Sequence, residues 1–252
     1  MGVNLPIPAD VRVALERVRS LHEGDRGVLD AIACGSRAVP ALGALLFARE
    51  SSGLYQPRLR AIQALAALGA QETLIDFLSA PHEAADPVER LGEETVVSAA
   101  ARALGDTREE RVFELLLRLA DVWLLPGVVA ALGRSGRAKA LPYLVDALAE
   151  DCSRPDAESA LKSFGAVARP ALLAAAAWAP PPGERETESG LRQRQSALRL
   201  LREIGASPED WLVLRHLTVH PDARVAALAC EIALVSAPDV EKPEAARRLK
   251  RL

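Results

Sequence analysis

The stretch Arg58-Leu59-Arg60-Ala61-Ile62-Gln63-Ala64-Leu65-Ala66-Ala67-Leu68-Gly69 decides the fold. Leu59, Ile62, Leu65, Ala66 and Leu68 recur at the steps that set side chains on one face of a helix. A glycine just past such a run takes the left-handed conformation that closes a helix and satisfies its last carbonyls. The phrase repeats along the chain as Ala33-Cys34-Gly35, Ala103-Leu104-Gly105, Ala131-Leu132-Gly133, Ser163-Phe164-Gly165 and Glu203-Ile204-Gly205. Successive glycines stand 34, 36, 28, 32 and 40 residues apart. Arrays built from helix pairs have periods of roughly 30–47 residues.

A second amphipathic segment follows each glycine, often with a proline in its first turn, where a missing N–H costs nothing. The prolines are Pro40, Pro142, Pro170 and Pro208, followed by Leu42/Leu45/Leu46, Leu144/Leu148, Leu172/Leu173 and Leu212/Leu214/Leu217. The pattern predicts helix pairs at about 25–48, 57–79, 94–120, 122–149, 155–178 and 190–217. A capping helix at 9–22 precedes them, and a helix at 222–236 opens a partial seventh unit. Residues 241–252 read as a short capping helix or a frayed tail. The fold expected is all-α, an α-α superhelix: one solenoid over 1–252, with caps at 1–24 and 222–252. Composition agrees, because half the residues are hydrophobic but only 4% are aromatic. An interior of Ala, Leu and Val suits closely spaced helices.

Arg58–Gly69 resembles the first helix of HEAT repeats of the bacterial, bilin-lyase-like type. Ala138-Lys-Ala-Leu-Pro-Tyr-Leu-Val-Asp-Ala-Leu148 resembles their second helix, and His220-Pro-Asp-Ala-Arg-Val-Ala-Ala-Leu228 the turn into the next repeat. The resemblance spans nearly the whole chain and implies that the second helices line a concave surface.

The formal charge is −3, from 31 basic and 34 acidic residues. Residues 51–100 hold three basic residues (Arg58, Arg60, Arg90) against seven acidic ones, and the last 52 residues balance eight against eight. A protein that lives by neutralising phosphates shows a basic excess or stripe, so nucleic acid is disfavoured as the principal ligand. Cys34, Cys152 and Cys230 are widely spaced and form no Cys-x-x-Cys pair, which predicts small buried hydrophobes rather than a disulfide framework or a zinc site. Residues 1–10 have no basic region followed by an apolar one, and the apolar stretch Pro170–Pro182 is too short to span a bilayer. A cytoplasmic location is expected.

Several constellations bear on chemistry. HEAT-like deoxyhypusine hydroxylase holds two irons with His-Glu pairs on helices. Here His82-Glu83-Ala84-Ala85 breaks into Asp86-Pro87, His22-Glu23 sits at a helix end, and the chain has four histidines. His216 and His220 have a metal-ligand spacing, yet Pro221 follows and a turn explains them. Gly133-Arg134-Ser135-Gly136 is too short for a phosphate loop. HEAT-like alkylpurine DNA glycosylases use tryptophans and an aspartate on a basic concave face. Trp123, Trp178 and Trp211, with Asp121 and Asp210 nearby, raise that alternative without the positive groove that base stacking needs. Two longer interruptions, 80–94 and 179–190, stand out as loops, the second with Pro180, Pro181 and Pro182 before Glu184, Glu186 and Glu188.

The reading expected from sequence is a non-enzymatic scaffold that binds another protein through its second helices. No catalytic residue, metal ligand or cofactor is assigned. The contact residues are Thr73, Asp76, Lys139, Tyr143, Asp146, Trp211 and Arg215, because Tyr, Trp and Arg most often dominate interface energy. The alternative is a HEAT-like DNA-binding or alkylpurine DNA glycosylase-type repair protein.

Overall fold

The computed structural model describes residues 7–48, 55–82, 86–181 and 183–252. Among the described residues all regular structure is helical, fifteen α-helices with short 3-10 turns between several of them. They gather into two compact units, residues 1–119 and 120–252.

The first unit runs α1 (Ala9–Arg19), α2 (Gly24–Ala33), α3 (Val39–Phe47), α4 (Gln56–Ala67), α5 (Gln71–Ser79), α6 (Pro87–Ala103) and most of α7 (Glu110–Ala120). Helix α2 packs on α4 and α4 on α6, while α3 packs on α5. First helices therefore stack on first helices and second on second, as the repeat predicts. The cap α1 lies on α2 so closely that a β-carbon on Gly27 would stand 2.3 Å from the backbone nitrogen of Val18.

The second unit runs α8 (Pro126–Arg134), α9 (Leu141–Asp146), α10 (Arg154–Phe164), α11 (Arg169–Ala177), α12 (Glu188–Ile204), α13 (Pro208–Leu214), α14 (Ala223–Ser236) and α15 (Lys242–Leu249). The row of first helices is α8–α10–α12–α14, and that of second helices is α9–α11–α13. The core repeats one register: Ala140, Leu144 and Leu148 are buried before, in and after α9, as are Ala168, Leu172 and Ala176 before and in α11. Small residues let the helix rows approach, and dispersion between Leu, Val and Ala fills the interior.

Three expectations change in detail. Gly35, Gly69, Gly165 and Gly205 have positive φ, but Gly105 and Gly133 do not. In the fourth repeat the left-handed turn passes to Gly136 at φ 64°. Gly133 instead stays inside α8, facing Ala160 of α10. Second, α6 begins at Pro87 rather than near residue 94. Asp86 Oδ1 accepts from the N–H groups of Val88 (2.8 Å) and Glu89 (3.1 Å), and Pro87 takes the first position. Much of the expected 80–94 loop is therefore helix, and residues 83–85 lie outside those described. Third, of the two alternatives for residues 241–252, a capping helix and a frayed tail, Lys242–Leu249 forms the helix.

Candidate interaction surface

Each unit buries an Arg–Glu–His cluster. In the first, Arg58 enters from α4. Its Nε donates to the carbonyl of Leu46 at the end of α3 (2.7 Å), and its Nη1 and Nη2 donate to Glu93 of α6 (2.6 and 3.3 Å). The other side of that carboxylate meets His82 Nδ1 at 2.7 Å. The His82 ring stands edge-on to Phe77, and Arg58 lies over the same Phe77 ring. Burial pushes the Glu93 carboxyl up, but hydrogen bonds from His82 and Arg58, with the charge of both, outweigh it and hold the group down at about 2.

In the second unit Arg194 of α12 donates from Nη1 to the carbonyl of Ala176 (2.6 Å), from Nη2 to that of Trp178, and from Nε to Glu186 (2.8 Å). Glu186 also lies 3.3 Å from His220 Nε2. The Nδ1 of that ring accepts from the Asp222 N–H (3.1 Å), and Asp222 caps α14 through Val225. In both clusters an arginine on a first helix gathers the carbonyl ends of the preceding second helix. Both are scaffolding, the first buried throughout and the second buried at Arg194 with Glu186 and His220 half-buried, and they are not legible in the sequence because the partners come from separate segments. The one legible hint was an arginine on a face otherwise apolar, as Arg58 is in α4.

The residues expected to make contacts fall into two sets. Thr73 and Asp76 belong to the first unit. Thr73 is half-buried, its methyl 3.1 Å from where a Gly43 β-carbon would sit, and Asp76 is exposed. The other five belong to the second unit. Lys139 precedes α9 and is exposed, and Tyr143 is half-buried, its hydroxyl donating to Asp121 Oδ1 at 2.7 Å. Asp146 ends α9 exposed. Surrounding protein lifts its carboxyl above the ordinary aspartate value, against the pull of a Gln193 hydrogen bond. Arg215 is exposed in the 3-10 turn after α13.

Trp211 is a correction. It is 3% exposed, and its Nε1–H donates to Glu241 Oε2 at 2.8 Å. It therefore anchors the α13 core and offers no surface for a partner. The cause is the start of α13. Ser207 and Asp210 form a reciprocal cap, with Ser207 N–H donating to Asp210 (2.8 Å) and Asp210 N–H to the Ser207 hydroxyl (3.2 Å). That register buries Trp211, Leu214 and Leu217 and turns Leu212 outward, 60% exposed. The exposed aliphatics on and beside the α9–α11–α13 row are Val167, Leu212, Val213 and Val219. The apolar run after Pro208 predicts Leu212 inside with Leu214 and Leu217, and the cap turns it out instead.

His216 is exposed, with Nδ1 against the Val213 carbonyl at 2.9 Å, while His220 is engaged by Glu186 and Asp222. Among the described residues no group of three or more His, Cys, Asp or Glu side chains is arranged to hold a metal ion. Trp178 is exposed beside the 179–187 loop, and Trp123 is half-buried.

No protein-family model matches the chain, and no curated protein matches it. Among solved structures it is similar to one described as the complex of CpcE and CpcF of phycocyanin lyase from Nostoc sp. PCC7120. The identity is 21%, the TM-score 0.42, and the match covers 100% of this chain and 98% of the other. It corrects the expectation that the chain is not an enzyme: the similar structure is that of a lyase, and the non-enzymatic reading is withdrawn. Likeness at that level transfers no residue's role.

Proposed function

We propose that the chain binds another protein through the second-helix side of residues 120–252. One observation carries this reading: the α9–α11–α13 row joins exposed aliphatics (Val167, Leu212, Val213, Val219) to Lys139, Tyr143, Asp146 and Arg215. Apolar area beside mixed charge and a tyrosine is the composition of protein interfaces. A photo-crosslinking residue at Asp146 should label one defined protein, and the same group at Ser163, exposed at the end of α10, should not. Tyr143→Ala combined with Arg215→Ala should weaken that partner's affinity at least tenfold. Equal labelling at both positions would place binding elsewhere. Three free thiols, Cys152 among them exposed, fit a reducing compartment such as the cytoplasm.

A lyase-type role in bilin attachment is the second reading, favoured by the repeat phrases Arg58–Gly69, Ala138–Leu148 and His220–Leu228. It requires an absorbance shift when the chain is mixed with a free linear tetrapyrrole. An unshifted spectrum, with and without the crosslinked partner, removes it.

A further inference from the structure

We infer that the end of the second unit formed by α15 and the turn after α13 docks an acidic protein segment carrying apolar side chains. This inference rests on the protein-binding reading and names the chemistry of a partner. Helix α15 is held in place at two points. Trp211 Nε1 binds Glu241, and Arg248 Nη1 donates to the Thr218 hydroxyl at 3.3 Å, which itself donates to the Arg215 carbonyl at 2.9 Å. Arg247, Arg248, Lys250 and Arg251 thereby stand beside the 3-10 turn Arg215–Val219, which carries Arg215.

Few anions answer them. Glu244 alone is shared between Arg247 (3.1 Å) and Arg248 (3.0 Å). Glu241 is committed to Trp211, and Asp239 pairs with Lys242 at 2.8 Å. The last 52 residues are neutral in sum, yet their cations concentrate here while Glu203, Glu209, Asp210, Asp222 and Glu231 lie on other elements. An excess of positive charge remains, open to solvent at Arg247, Lys250 and Arg251.

The neighbouring side chains decide which anion fits. Val213 and Val219 are exposed beside Arg215, Val219 by 67%, so a segment of carboxylates alone would leave them wet. Nucleic acid would need an exposed aromatic on which bases stack, and the aromatic of this region, Trp211, is buried. A peptide that alternates carboxylates with leucine-like side chains satisfies both the charge and the valines.

The test is fluorescence anisotropy of the full chain with a labelled glutamate-rich dodecapeptide carrying two leucines. Binding should weaken at least tenfold with Arg247→Ser, Lys250→Ser and Arg251→Ser combined, exposed positions whose loss leaves the core intact. It should weaken likewise when the peptide's glutamates become glutamines, and it should fall with added salt. Ser163→Ala, at the exposed end of α10, should leave it unchanged. Absence of peptide binding, indifference to the triple substitution, or displacement of the peptide by equimolar duplex DNA or single-stranded RNA would each overturn the inference. If crosslinking from Asp146 still captures its partner after such a failure, the protein-binding reading stands and this extension alone falls.

Discussion

Glu93 shows how a single buried carboxylate ties stability to pH. Its value in the folded chain, about 2, lies below the ordinary 4.5. The stabilisation from its ionised form is therefore complete above about pH 4.5 and is lost as pH falls toward 2. The difference corresponds to roughly 3 kcal/mol by linkage. Urea midpoints should drop between pH 5 and pH 3, and Glu93→Gln should flatten that part of the profile. At pH 7 the same substitution leaves the Arg58 guanidinium buried without its counter-ion and should cost on the order of 3 kcal/mol. A profile unchanged by Glu93→Gln would show that another carboxylate governs acid unfolding.

Helix ends and helix contacts behave as units above the single residue. The reciprocal cap of Ser207 and Asp210 fixes where α13 starts, so Ser207→Ala should cost about 1 kcal/mol and lower the melting temperature. Gly133 marks the closest approach of α8 to α10, where an added β-carbon would stand 2.4 Å from that of Ala160. Gly133→Ala should destabilise by about 1–3 kcal/mol, and Ala160→Gly in the same chain should recover most of it; additive losses would refute the contact. The existence of nearly every helix was legible, because apolar periodicity and a terminating glycine are local signals. Boundaries were less so. The Asp86-Pro87 start of α6 reads as loop because the apolar residues of its first turns, Val88 and Leu91, face solvent while the buried position falls on a charged residue, Glu93, so the apolar periodicity that marks a helix is missing there. The exchange of Trp211 for Leu212 depended on a cap that shifts the buried stripe by one residue. The Arg194–Glu186–His220 cluster was out of reach, since no periodicity links a loop glutamate to a histidine that follows it by more than thirty residues.

At the scale of the whole chain, charge is divided unevenly. Residues 1–119 carry 13 basic and 17 acidic side chains, and residues 120–252 carry 18 and 17. Within each unit a helix touches the helices of its own repeat and of the adjacent repeats and few beyond them, so damage should stay local. Arg194→Met should speed amide hydrogen exchange in α11, α12 and α14 while α1–α4 keep their protection; uniform acceleration along the chain would contradict this. The seven residues expected to meet a partner were partly legible. A second-helix position predicts outward orientation at Lys139, Asp146 and Arg215, but sequence gives no sign that charge and exposed valines meet at α15. The indole of Trp211, shielded from water and tethered to Glu241, also has an optical consequence. In a Trp123→Phe, Trp178→Phe background its emission maximum reports on the contact between α13 and the start of α15. A red shift during titration with an acidic peptide would mean that the terminal helix lifts away to admit its guest, whereas constant colour would mean that the guest settles on a platform already built.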